Sequence, residues 1–336
     1  MLDVVNHTPF SVQLHSALDQ ECNDHAVIVI KALCHIVDGA PLQLAIEKAT
    51  IYPADKHFGD PKTTGIEYAS DLAWTKLLTD VVVNGSAYAP RSRCAALDVS
   101  VQIDKLRIIR RVYGERLWEK SLLGWQITPP KLFDVMPLSY EHSFGGSYLD
   151  SSNQCLDYFS QNPIGKGYVS VLAKGPHDGQ PLPNIELPQQ LIQQWKDKPS
   201  PAALGFLATD WSQRKVFQGT YDAAWQRDRA PLLPEDFNER FFNAAPNDLQ
   251  IPYLRGGEFI ALTHLTPNGS LSFQIPTWKI TCCVVAKGRA LDLSPVLDTI
   301  VIEPDKMQAH LTWRLSVKCF NQFLYLDKVI VSATKG

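Results

Sequence analysis

Three features of the sequence predict a mainly β fold of antiparallel, sandwich-like sheets with a loop-rich centre and few short helices. Runs of β-branched and aromatic residues lie towards both ends of the chain. Several of these runs are joined by turn residues in a hairpin pattern, and the middle concentrates proline and glycine with little helical periodicity.

"AVIVIKALCHIV" (26–37) is long and β-branched enough for a central strand. In "DVVVNGSAYAP" (80–90), Asn84-Gly85 between apolar residues predicts a tight turn. "LDVSVQIDKLRIIRRV" (97–112) puts Leu97, Val99, Val101 and Ile103 on one face by strict alternation and turns back at Asp104-Lys105, which predicts a hairpin. Near the other end, 257–265 with 271–275 and 299–303 with 308–317 read as two more hairpins, and "FLYLDKVIVSA" closes the chain as a strand. Between them only two stretches have helical character. In 186–197, Leu187, Leu191 and Trp195 are four residues apart, and 234–246 opens with proline and acidic residues and stops at Pro246.

The chain therefore divides into an N-terminal β portion (1–120), a Pro/Gly-rich central region (121–250) and a C-terminal β portion (251–336). The length suits two domains or one integrated unit.

Composition narrows the function. With 45% hydrophobic and 20% charged residues, the chain is expected to be globular rather than disordered. A net charge of −3 leaves no cationic excess for nucleic acid. No apolar run reaches the roughly 18 residues of a membrane helix, and the first residues, "MLDVVNHTPF", do not read as a signal segment, so a cytoplasmic location is expected. Seven scattered cysteines with no C-x-x-C pair read as buried, reduced thiols.

The densest signal is "MPLSYEHSFGG" (136–146), followed by "NPIGKGY" (162–168). A phosphate loop needs glycine five positions before its Gly-Lys and Ser or Thr after it, but Ser160 and Gly167 stand there. The nine histidines supply no H-x-H or H-x-x-x-H pair, so no metal site is expected, and nothing points to a cofactor. Glu141 and His142 are adjacent and, in a strand, would point to opposite faces. What remains is a structural reading. Tyr140 and Phe144 act as apolar anchors, Gly145-Gly146 as one sharp turn, and Asn162, Pro163, Gly165 and Gly167 as a second, with Arg116 a candidate partner for a buried Glu141.

Seven blocks, in order, then carry a resemblance: 70–90, 113–118, 136–146, 162–168, 201–214, 219–250 and 254–269. Together they resemble the bacterial domain of unknown function 2169 family over roughly residues 1–280. The positions that match are Asp71, Lys76, Thr79, Asp80 and Val81, then Gly114, Arg116 and Trp118, with Glu115 in place of aspartate. The family's Tyr-Glu-Arg-Ala-Phe-Gly-Gly reads Tyr140 to Gly146 here, with His142 replacing a permanent cation. Later matches are Trp211, Arg214, Gly219, Tyr221, Asp222, Trp225, Phe241, Asn243, Ala245, Pro246 and Gln250.

The resemblance implies a cytoplasmic adaptor or chaperone associated with type VI secretion. Such a protein would load a toxic effector, often one with a PAAR-type tip domain, onto the valine-glycine-repeat (VgrG) spike protein, and the resemblance carries no catalytic residues. An adaptor needs aromatic anchors within a polar rim, and Trp211 and Trp225, in the proline-rich middle, are the expected displayed rings. A free sheet edge at 322–334 would offer strand addition as a second mode. The rival readings are a hydrolase using Glu141 and His142, and a structural component of the secretion machine. A hydrolase requires Glu141, His142 and a third titratable group within hydrogen-bonding reach, whereas an adaptor requires no enclosed polar pocket there.

Overall fold

The computed structural model describes residues 3–319 and 326–335. Its mainly β character begins with the strand Asp24–His35, nearly all of which is buried because both faces are covered. That strand pairs with Ser11–Leu18 on one side and Gln308–Cys319 on the other. Val296–Glu303, Thr79–Val83 and Gln250–Ile251 extend the sheet, and Gln43–Leu44 completes its seven strands. Antiparallel pairing dominates. The strand Thr79–Val83, however, lies parallel to Val296–Glu303, so this sheet is mixed.

A six-stranded sheet is built on Ala96–Ile103, paired with Leu106–Tyr113 and with Phe259–Thr263. The expected alternation holds, since Leu97, Val99, Val101 and Ile103 are all buried. Asp104 takes a left-handed φ of 49° at the reversal. The other two expected hairpins also form, at Phe259–Thr263 with Ser270–Gln274 and at Val296–Glu303 with Gln308–Cys319. A four-stranded sheet runs in the order Asp3–Asn6, Leu326–Lys335, Trp278–Ala286, Arg289–Leu293. Inner residues of the three sheets, such as Ile30, Val101, Ile300 and Val331, share one core.

Three expectations need correction. Asn84-Gly85 joins no hairpin: neither residue takes a positive φ, and Ser86–Tyr88 leaves to pair with Val135–Pro137. Residues 186–197 are not helical. Ile185–Glu186 is a strand on Arg111–Val112, and the carboxylates of Glu186 and Asp197 take the amides of Ile192, Gln193 and Gln194 that a helix would use. Of 234–246, only Glu239–Phe242 coils, as a 3₁₀ turn, because Asp80 draws in Asn243, Ala244 and Ala245. The α-helices among the described residues are instead Ser212–Lys215 and Ala223–Asp228.

Candidate functional site

The two halves of the glycine-rich signal close on each other. Tyr140–His142 forms a 3₁₀ turn, after which Phe144–Gly145 pairs in parallel with Lys166–Gly167. The fully buried Asn162 donates through Nδ2 to the carbonyls of Tyr140 (2.8 Å) and Phe144 (3.0 Å). Its own carbonyl accepts from Gly146 N, and Lys166 N donates to Ser143 O. Backbones approach too closely here for side chains: a Cβ on Gly145 would lie 2.1 Å from Asn162 O, and one on Gly165 2.3 Å from Asn162 Nδ2. Gly146 and Gly167 flank these contacts, and Pro163 O accepts from Ser147 Oγ. The unit is a backbone clasp.

Phe144 and Trp118 pack with Leu182 and Ile192 in a satellite core behind the clasp. Arg116 does not meet Glu141. It is buried, lies 3.8 Å over the Tyr113 ring, donates to Pro183 O and forms an ion pair with Glu186. Glu186 in turn accepts Ile192 N, so this pair anchors the satellite core.

Between the halves of the clasp rises a hairpin, Ser147–Leu149 with Cys155–Tyr158. It exposes apolar side chains on both strands: Tyr148, Leu149, Leu156 and Tyr158. Asp157 ties it to the next loop by accepting from Tyr168 Oη (2.7 Å) and Ser170 Oγ, which presents Val171 and Leu172, 75% and 61% exposed. Exposed apolar side chains gathered on one short hairpin and the loop tied to it are candidates for a contact region. None of these six residues was singled out from the sequence. The signal was there, in two apolar-aromatic pairs around the polar turn "DSSN" (150–153).

The other predicted positions lie elsewhere. Trp211, expected on display, is 5% exposed and meets Tyr140 edge-on at 4.7 Å. Arg214 is buried and, among the described residues, has no carboxylate partner. It donates to Leu207 O and Phe241 O, and burial lowers its pKa. Asp222 caps the second helix by accepting Trp225 N (2.8 Å). Trp225 is half-buried, donates to Leu232 O and touches the exposed Tyr221 ring.

Several positions that match the family blocks serve the interior as charges. Asp80, wholly buried, accepts from Lys76 (2.7 Å), Asn243 Nδ2 and the amides of Ala244 and Ala245. Beside it lie Lys31–Asp71 (2.7 Å) and Arg314–Asp298 (2.6 Å). These buried pairs hold strands together and offer no open chemistry.

Glu141 and His142 sit on the 3₁₀ turn rather than in a strand. Both border a cleft of about 450 Å³, with Ser139, Asn84, Ser86, Asp305 and Phe58 on its walls. Glu141 Oε1 accepts Gly65 N (2.9 Å), and its Oε2 is buried with no hydrogen-bond partner among the described residues. His142 Nδ1 faces Asn184 Oδ1 at 3.0 Å, because the Asn184 amide nitrogen is committed to Tyr113 O. His142 therefore donates at Nδ1. Among the described residues, no hydrogen bond or ion pair joins Glu141 to His142, or either of them to a third titratable side chain.

The segment 322–334, expected as a free edge, is largely covered. Residues 322–325 lie outside the described residues, Leu326–Lys335 pairs along its length with Trp278–Ala286, and Asp3–Asn6 covers Lys328–Val331 on the other side. Among the described residues, no helix is long and apolar enough to cross a membrane.

No curated protein and no solved structure matches the chain. A family profile does match, over residues 21–314, so the chain belongs to DUF2169, the family described as an uncharacterized protein conserved in bacteria.

Proposed function

We propose that this protein is a non-enzymatic adaptor or chaperone that binds a type VI secretion effector, in some cases one with a PAAR domain, and assists its loading onto the VgrG spike. The observation that carries the reading is the division of labour at the clasp. The clasp residues that resemble the family blocks are spent on internal bonds, while the hairpin they hold turns Tyr148, Leu149, Leu156 and Tyr158 outward. A rigid base with exposed apolar side chains suits capture of a partner at low ordering entropy. The test is co-expression with an effector and a spike protein from the bacterium that encodes the chain, followed by affinity capture of this chain. Stoichiometric recovery of the effector is expected. Purification of the chain without any cognate effector would overturn the reading.

A hydrolase remains the second reading, favoured by one observation: Glu141 and His142 border the same cleft. Its test is turnover of ester or amide substrates that is lost in His142→Ala.

A further inference from the structure

The four-stranded sheet ends at Arg289–Leu293. This strand is joined to Trp278–Ala286 through Lys287 and Gly288, whose φ angles of 49° and 72° make a two-residue turn of the primed type. Such a turn makes its flanking residues, Ala286 and Arg289, a hydrogen-bonded pair, and bonded and non-bonded pairs then alternate along the ladder. Leu291 and Leu293 therefore bond inward to Val284 and Cys282. The N–H and C=O groups of Ala290 and Asp292 point away from the sheet, and among the described residues nothing hydrogen-bonds to them.

Natural edges are usually blunted by proline, lysine or brevity. Pro41 does so at the outer strand of the six-stranded sheet, and Gln250–Ile251 is only two residues long. Arg289–Leu293 has five residues and neither proline nor lysine. Its faces also specify what would cover it. On one face Val284 and Leu293 belong to a core cluster, and Leu291, opposite Val284, remains 59% exposed at the margin. On the other face stands the exposed Asp292 carboxylate, directly across the ladder from Cys283.

We propose that this edge is a strand-addition site. It receives an extended segment of a client protein in which apolar side chains, lying over Leu291, alternate with basic ones on the Asp292 face. The segment's backbone completes the hydrogen bonds of Ala290 and Asp292. The assignment rests on the adaptor reading for the client's identity, but not for the chemistry of the edge.

The probe is a short fluorescein-labelled peptide of alternating valine and lysine, titrated against the full chain. Saturable binding is expected, with slower amide exchange at Ala290 and Asp292. Ala290→Pro removes an outward N–H that makes no bond within the sheet, and should weaken binding about tenfold. Asp292→Lys keeps the backbone and reverses the charge, and should weaken binding similarly even if the proline variant folds poorly. No saturable binding to the wild type, or equal binding by a folded Ala290→Pro and by Asp292→Lys, overturns the proposal. Effector capture separates the two readings. An effector retained by a folded Ala290→Pro chain sinks the edge alone, whereas an effector that never binds the wild type sinks the adaptor while the peptide still decides the edge.

Discussion

Asn243 donates through Nδ2 to Asp80 Oδ1 at 3.0 Å and thereby ties the loop after the Glu239–Phe242 turn to a strand 163 residues earlier. Asp80 also neutralises Lys76, and neither side chain reaches solvent to any extent. Asp80→Ala would leave the buried Lys76 ammonium without its counter-charge and the amides of Ala244 and Ala245 without their acceptor. A loss of about 3–5 kcal/mol is expected. Urea unfolding should show a much lower midpoint with little change in slope, and Asp80→Asn, which keeps part of the acceptor set, should lose less.

The clasp predicts a second effect, at glycine. A methyl group on Gly165 would fall 2.3 Å from Asn162 Nδ2 and 2.6 Å from Ser143 O, both in packed surroundings. Gly165→Ala should therefore destabilise the chain by about 1–3 kcal/mol. The amides of Lys166 and Tyr168, which bond to Ser143 O and Gly145 O, should exchange faster. Unchanged exchange at those two amides would mean that the clasp tolerates a side chain there.

The local parts of this architecture could be read from sequence, and the non-local parts could not. The reversal at Asp104-Lys105 follows from alternation on either side of it, and Ile103 does face Leu106. Nothing local announces that Thr79–Val83 lies parallel to Val296–Glu303, because that neighbour is joined through most of the chain. The spacing of Leu187, Leu191 and Trp195 imitated a helix. Ile192 and Trp195 in fact pack in the satellite core, and the Glu186 carboxylate claims the Ile192 amide. Arg116, expected as a partner for Glu141, pairs instead with Glu186, 70 residues away, and Glu141 accepts the Gly65 amide. The glycines of the clasp left a sequence mark that read as two turns, but that the two segments pair in parallel could not be read from it. The hairpin it presents is marked only by apolar-aromatic pairs around "DSSN", and such residues look like core until their burial is known.

Acid should act through Glu303. Burial opposes its ionisation, but hydrogen bonds from His310, Lys306 and Tyr68 outweigh that and hold the carboxyl at about 2. The carboxyl is thus more acidic folded than unfolded. Its contribution is fully present above the ordinary glutamate range and is lost as pH falls from there towards about 2. Stability followed by urea unfolding should drop over that window by an amount on the order of 3 kcal/mol more in the wild type than in Glu303→Gln. Parallel curves for the two would remove Glu303 from the account.

Thiol chemistry should divide the cysteines by burial. Cys34 and Cys282 are fully buried, and burial pushes both thiols up to about 12, so neither offers a thiolate at neutral pH. Cys22 and Cys155 are exposed. Iodoacetamide should label those two in the native protein and reach Cys34 and Cys282 only on unfolding, as peptide mass mapping would show. The sequence reading of all seven as buried fillers holds for these last two alone among the seven.

The hairpin between the clasp halves separates folding from recognition. Leu149 and Leu156 are 48% and 49% exposed and belong to none of the buried clusters, whereas Phe144, a few residues earlier, is buried in the satellite core. Replacing both leucines by serine should leave the unfolding midpoint within about 0.5 kcal/mol of wild type, as expected for surface positions. Phe144→Ala should cost about 3–5 kcal/mol. If the hairpin is the docking surface, the double serine variant will stay soluble and folded yet recover at least several-fold less effector on affinity capture. Full recovery by that folded variant would move the docking surface away from the hairpin, whereas loss of recovery together with loss of folding would show that these leucines support the core after all.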